Sequence, residues 1–110
     1  MTFKEINTMI ASIGKSYTYH EWNCAPEDVP ALPWIVFRYP NILDFYADNK
    51  NYQRVTALEI EVCTENKDFD LEQTVESVLS SHGLTYTKEE DYLDTERMFD
   101  VRYELEVLIT

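Results

Sequence analysis

Few residues in this chain could carry chemistry. There are two histidines, His20 and His82, and two cysteines, Cys24 and Cys63. His20, Glu21 and Cys24 place three metal-binding side chains within five residues. A zinc ion needs its ligands to converge, and His20 and Cys24 would converge only on one helical turn. The local text is YTYHEW followed by Pro26, Pro30 and Pro33, which reads as strand running into a proline loop. The pattern is also not HExxH, so no metal site is expected there. His82 falls at the end of an expected helix, where it suits the dipole better than it suits a general base. Lys88-Glu89-Glu90-Asp91, with Asp94 and Glu96, is rich in oxygen donors. The spacing of a calcium loop is missing, and a solvated hairpin tip is the expected structure. Two glycines in the whole chain leave little room for a phosphate-cradling loop or a nucleophile elbow. The chain therefore does not read as an enzyme, and no cofactor is expected.

The elements around these residues are easier to read. Tyr52 onward spells YQRVTALEIEVCT, with Leu58, Ile60 and Val62 on one face and Glu59 and Glu61 on the other. That alternation is the mark of a strand with one face in a core. Residues 34–39 are β-branched and aromatic, so they also read as strand, breaking near Pro40-Asn41 and resuming over 42–46. A proline there predicts a bulge or an edge position. Together these segments predict a long central β-hairpin, its tip at the Asx-rich run 47–51. A first helix is expected over 3–13, with Thr2 and Glu5 as capping box, an apolar stripe of Phe3, Ile6, Met9, Ile10 and Ile13, and Gly14 as stop. A short strand is expected over 17–22, then a stiff irregular loop over 23–33. Its PALP text reads as loop, not as a groove-binding peptide. A second helix is expected over 71–81, capped by Asp70 with Gln73 at the box position, its stripe formed by Leu71, Val75, Val78 and Leu79. A final hairpin pairs 84–92 with 97–109, where Val101, Tyr103, Leu105, Val107 and Ile109 alternate with charged residues. The predicted fold is α+β in one domain over 1–110, a mostly antiparallel sheet with two helices on one face.

The charge balance excludes some partners. Asp and Glu number 21 against nine Lys and Arg, a net charge of −12. Such a chain repels a phosphate backbone and an anionic membrane surface. No apolar run reaches the length of a membrane span. The amphipathic start, MTFKEINTMIASIG, does not read as a signal peptide. The two cysteines match no disulfide framework and no zinc spacing, so a reduced cytosolic setting is expected. Tyr39, Phe45, Tyr46 and Tyr52 crowd the hairpin near its polar tip. Tyrosine favours interfaces, so this crowd is expected to take part in association.

Three stretches carry a resemblance: MTFKEINTMIASIG, PWIVFRYPNILDFYADNKNYQRVTALEIEVCTENKDFDLEQTVESVL and TERMFDVRYELEVLI. They resemble small structural proteins of siphophages and prophages of Gram-positive bacteria, the tail-terminator and tail-completion (head–tail joining) proteins. FYADNKNYQ and TENKDFDLE are the most distinctive portions. The resemblance implies a non-enzymatic virion component, made in the host bacterial cytoplasm. Its subunits would form a ring, commonly a hexamer, that caps the tail tube or joins it to the head connector. The partners it implies are further copies of the chain, tail tube and connector proteins, and DNA only as passing cargo. It assigns ring contacts to Phe45, Tyr46, Asp48, Asn49 and Tyr52. In such a ring, a sheet face carrying Glu59, Glu61, Glu104 and Glu106 could line the lumen and repel DNA. An acidic DNA mimic, or a phage protein binding one host protein, remains the alternative.

Overall fold

The computed structural model describes residues 1–47 and 50–110, with side chains described outside 43–53. In chain order the elements are α1 (Phe3–Ala11), β1 (Ser16–Tyr19), β2 (Trp34–Arg38), β3 (Ile42–Ala47), β4 (Lys50–Thr64), α2 (Phe69–Ser81), β5 (Thr87–Leu93) and β6 (Met98–Ile109). A single 3₁₀ turn, Pro26–Asp28, interrupts the loop after β1. The strands form one six-stranded sheet in the order β1-β2-β4-β6-β5, with β3 also paired to β4. All pairings are antiparallel except β1 with β2. A parallel neighbour needs a long crossover, and the stiff proline loop supplies it. The expected α+β architecture is the observed one.

β4 is the spine. At about 3.3 Å per residue its 15 residues span roughly 50 Å, which is the 50 Å long axis of the molecule. β2 pairs with its C-terminal half, from Arg38↔Glu59 to Trp34↔Cys63, and β3 with its N-terminal half, from Ile42↔Thr56 onward. Between these two registers Tyr39, Pro40 and Asn41 lie opposite Ala57 and Leu58. This is the bulge expected at the proline, whose nitrogen can donate nothing to a ladder. The backbone N–H of Ala57 instead donates to the Asn41 carbonyl at 2.7 Å.

The apolar face of the sheet is built from Ile35, Phe37, Leu58, Ile60, Val62, Val101, Tyr103, Leu105 and Val107. Ile6, Met9, Ile10 and Ile13 of the α1 region and Leu71, Val75 and Leu79 of α2 join the same core. Both helices thus cover one face. α1 has the expected capping box, with the Glu5 N–H donating to Thr2 Oγ1 and the Thr2 N–H to Glu5 Oε1. It ends two residues earlier than the periodicity predicts. Ile13 and Gly14 donate to carbonyls three residues back, and Gly14 has φ +87. Phe3, expected in the stripe, is 41% exposed and packs edge-on against Tyr39.

β1 stops at Tyr19, short of the expected Trp22. His20 takes φ +70, and the Glu21 N–H donates back to the Tyr19 carbonyl, which turns the chain out of the sheet. α2 starts earlier than expected. Its cap is Asp68, not Asp70: Asp68 Oδ1 accepts from the Leu71 N–H at 2.9 Å. With the frame moved by two residues, Gln73 no longer holds the box position. The far end closes as anticipated. Leu84 N–H donates to Leu79 O and Gly83 N–H to Ser80 O, with Gly83 at φ +71, a Schellman closure. β5 begins at Thr87 rather than at residue 84, after this closure and a short link.

The corrected cap can be tested by chemical denaturation. Asp68→Ala should cost about 0.5–2 kcal/mol. Asp70→Ala, in the first turn with no capping bond, should cost only a few tenths by loss of a dipole contact.

Candidate functional surface

The face opposite the helices carries the charge. Strand register sets it out in three rows. Trp34, Cys63, Asp100 and Asp91 form the first, Val36, Glu61, Arg102 and Glu89 the second, and Arg38, Glu59, Glu104 and Thr87 the third. Glu106, opposite Ala57, continues the face along β6. Sequence periodicity placed Glu59, Glu61, Glu104 and Glu106 on one side of the sheet, and the register puts them there.

Their surroundings differ. Glu59 and Glu61 are held by the fork of Arg38, with Nη1 to Glu59 Oε1 at 2.8 Å and Nη2 to Glu61 Oε2 at 3.1 Å. Both side chains are 17% exposed. Arg102 Nη2 reaches Glu89 at 2.9 Å and Asp91 at 3.5 Å, and its Nε lies 3.4 Å from Glu104. Glu104 and Glu106 are exposed. Across the rows six carboxylates (Glu59, Glu61, Glu89, Asp91, Asp100, Glu104) meet two guanidinium groups (Arg38, Arg102). The centre is cross-linked, while Glu106, beyond the reach of β5, presents its charge to solvent with no salt bridge among the described residues.

The first row is drier. Cys63 and Asp100 are 2% and 8% exposed. Burial pushes the Asp100 carboxyl up to about 6, helped by the negative charge of Glu61. Burial likewise pushes the Cys63 thiol up to about 12, helped by Asp100 and Glu61, so it behaves as an inert apolar group. Trp22 and Trp34 meet edge to face, 5.9 Å between rings, which brings the loop after β1 against the Trp34 end of this row.

A second charge cluster lies on the helix side. Lys88 and Glu90 of β5 turn towards α2, while Glu89 and Asp91 turn to Arg102. The expected solvated tip holds for Asp94 and Glu96, exposed in the turn after β5, but residues 88–91, though exposed as expected, belong to the strand, whose alternation splits them between the two faces. Glu72 is 4% exposed and bridges Lys67 at 2.6 Å and Lys88 at 2.8 Å. Lys67 also pairs with Glu90, and Lys88 with Glu76 at 2.8 Å. Tyr103 Oη donates to Glu76 at 2.7 Å. Burial works against a charged lysine, but the carboxylates outweigh it and raise the pKa of both Lys67 and Lys88. Burial also works against the Glu76 carboxylate, yet Lys88 and Tyr103 outweigh it and hold its pKa below the ordinary value.

The other sequence candidates stay apart. His20 and Cys24 are exposed in the loop after β1. His82 caps α2, its Nδ1 2.9 Å from the Val78 carbonyl oxygen. Asp48 and Asn49 lie outside the described residues, as do the side chains of Phe45, Tyr46 and Tyr52. Sequence reasoning missed the Arg38 fork, although Arg38 shares its strand parity with Trp34 and Val36. It also missed the burial of Asp100 and Glu72, for which no residue pattern gives a signal.

No family model matches this chain, and no curated protein matches its sequence. Its fold does have a solved counterpart. A chain in the virion of a native gene transfer agent particle superposes with a TM-score of 0.61, over 97% of this chain and 87% of that one, at 11% identity. At that identity the likeness is one of fold. No helix among the described residues is long and apolar enough to cross a membrane.

The Arg38 fork sets an expectation for the face. Arg38→Ala leaves two partly buried carboxylates unpaired and should lower unfolding free energy by about 1–3 kcal/mol, between the values for exposed and buried pairs. The loss should grow as salt is reduced from 0.5 M to 0.05 M in urea titrations, because screening is withdrawn.

Proposed function

We propose that this protein is a non-enzymatic structural subunit of a phage-like particle, acting as a ring that terminates the tail tube or joins it to the head connector. The observation that carries this reading is the fold likeness to a virion chain, which extends over nearly the whole of both chains. The sequence resemblance to tail-terminator and tail-completion proteins points the same way. In this reading the partners are other copies of the chain, a hexamer by the resemblance, together with tail tube and connector proteins. The setting is the virion, after assembly in the host cytoplasm.

The β3–β4 hairpin, with Phe45, Tyr46, Asp48, Asn49 and Tyr52, supplies contacts between subunits. β3 pairs with β4 beyond the reach of β2, so this end of the spine has fewer sheet neighbours within the chain. The acidic face turns to the lumen. Glu59 and Glu61 pair with Arg38 and Glu104 lies 3.4 Å from Arg102, so the exposed Glu106, with no salt bridge among the described residues, and the half-exposed Glu104 do most of the repelling. A wall of like charge lets DNA slide past without binding.

Light scattering behind a sizing column tests the ring. A closed oligomer several times 13.0 kDa is expected. A monomer at every concentration that also fails to cap tail tubes overturns the reading, and competition with DNA for a host protein would then support a mimic. Glu104→Lys with Glu106→Lys tests the lumen. The doubly substituted ring should retain duplex DNA in a gel-shift assay at about 0.05 M salt and release it near 0.2 M. Wild type should not retain DNA. Equal mobility of DNA with both rings would place these glutamates away from its path.

A further inference from the structure

Asp100 is an unusual residue for an otherwise ordinary sheet. Its side chain lies on the charged face, yet it is 92% removed from solvent (8% exposed), and its Oδ1 has no hydrogen-bond partner among the described residues. Register puts Cys63 of β4 on one side of it and Asp91 of β5 on the other. Glu61, two residues along β4 from Cys63, is the diagonal neighbour of Asp100 on the same face of the sheet. The groups around this pair are mostly acidic. From β4 they are Glu61 and Cys63, from β5 Glu89 and Asp91, from β6 Arg102, and from β2 Arg38.

The cations nearby are already engaged. Arg38 Nη2 lies on Glu61 and its Nη1 on Glu59. Arg102 Nη2 lies on Glu89 and Asp91. No guanidinium nitrogen makes a salt bridge to Asp100 among the described residues. Two adjacent carboxylates, one buried and unpaired, cannot both ionise cheaply. A proton bound between them turns the buried member into a donor and removes the repulsion.

We propose that Asp100 and Glu61 share one proton at mildly acidic pH, so that this point of the sheet face acts as a proton-operated switch of its charge and of the stability of the fold. The proton resides on Asp100, which donates to Glu61, while Glu61 Oε2 stays on Arg38 Nη2. When pH rises the proton leaves to solvent and the face gains one negative charge inside the sheet. The folded pKa of Asp100, about 6, lies above the unfolded value of about 4. The stability contributed by the protonated form is therefore complete below about pH 4 and is lost as pH climbs through about 6.

Carbon-detected NMR titration of the wild-type carboxyl groups tests the pair directly. Asp100 should titrate near 6, and Glu61→Gln should shift that midpoint downward. Urea midpoints measured from pH 4 to pH 8 add a second readout. The wild-type midpoint should fall between about pH 4 and about pH 6 and level off above that, a loss that Asp100→Asn lacks, and at pH 8 Asp100→Asn should have the higher midpoint. An Asp100 carboxyl titrating at or below 4 in the wild type overturns the proposal. So does an Asp100→Asn profile parallel to wild type. Should Asp100→Asn fail to fold, the wild-type titration and its response to Glu61→Gln decide.

Discussion

The structure depends on the register between β4 and β6. Eleven residue pairs run unbroken from Arg54↔Ile109 to Thr64↔Phe99. Side chains alternate across a strand, so this register decides which face each residue joins. With Leu58 on Leu105, Ile60 on Tyr103 and Val62 on Val101, the apolar set is continuous and the helices have a floor. The same register sets Glu59 against Glu104 and Glu61 against Arg102. A slip by one residue would send the core to solvent and bury the glutamates. Core and charged face are two consequences of one pairing.

The helix-side cluster answers a different need. Burying a carboxylate costs several kcal/mol unless cations and hydrogen bonds compensate. Glu72 meets that condition with Lys67 just before α2 and Lys88 on β5. The net gain in stability is small, but the geometry is selective. α2 can dock on the sheet only where Glu72 and Glu76 meet Lys88, where Tyr103 reaches Glu76, and where Lys67 meets Glu90. Hydrophobic contacts from Leu71, Val75 and Leu79 hold the helix down, and the charges choose its position along its axis.

Much of this was legible in the sequence because it follows from periodicity. Alternation in 58–62 and 101–109 gave the strands their faces, and the 3.6-residue spacing of Ile6, Met9 and Ile10 gave α1 its buried side. The bulge at Pro40 followed from a missing N–H. What was not legible depends on pairs remote in the chain. Asp68 and Asp70 are equally good caps by residue type, and only the position of Leu71 in the core chooses between them. The parallel placement of β1 beside β2 leaves no trace in either strand's text. Lys88 to Asp91 looked like a charged tip because charge density conceals alternation, which appears only once partners such as Arg102 and Glu72 are known.

The distribution of charge on the sheet face bears on what the face can do. Had all its glutamates been free, repulsion between Glu59 and Glu104, directly opposite in register, would have strained the central pairing. Arg38 and Arg102 relieve that strain by neutralising the middle of the face. The excess remains where Glu89, Asp91 and Glu104 share the single Arg102 and at Glu106 on β6, all exposed, where water screens each charge from its neighbours. The arrangement keeps a strongly acidic chain folded while leaving a field that reaches about one Debye length, roughly 8 Å at physiological salt. A field of that range acts on a polyanion passing close to the wall and has little effect on one farther away. A repulsive role therefore fits a narrow passage better than an open surface, and the proposed ring is the arrangement that would supply one.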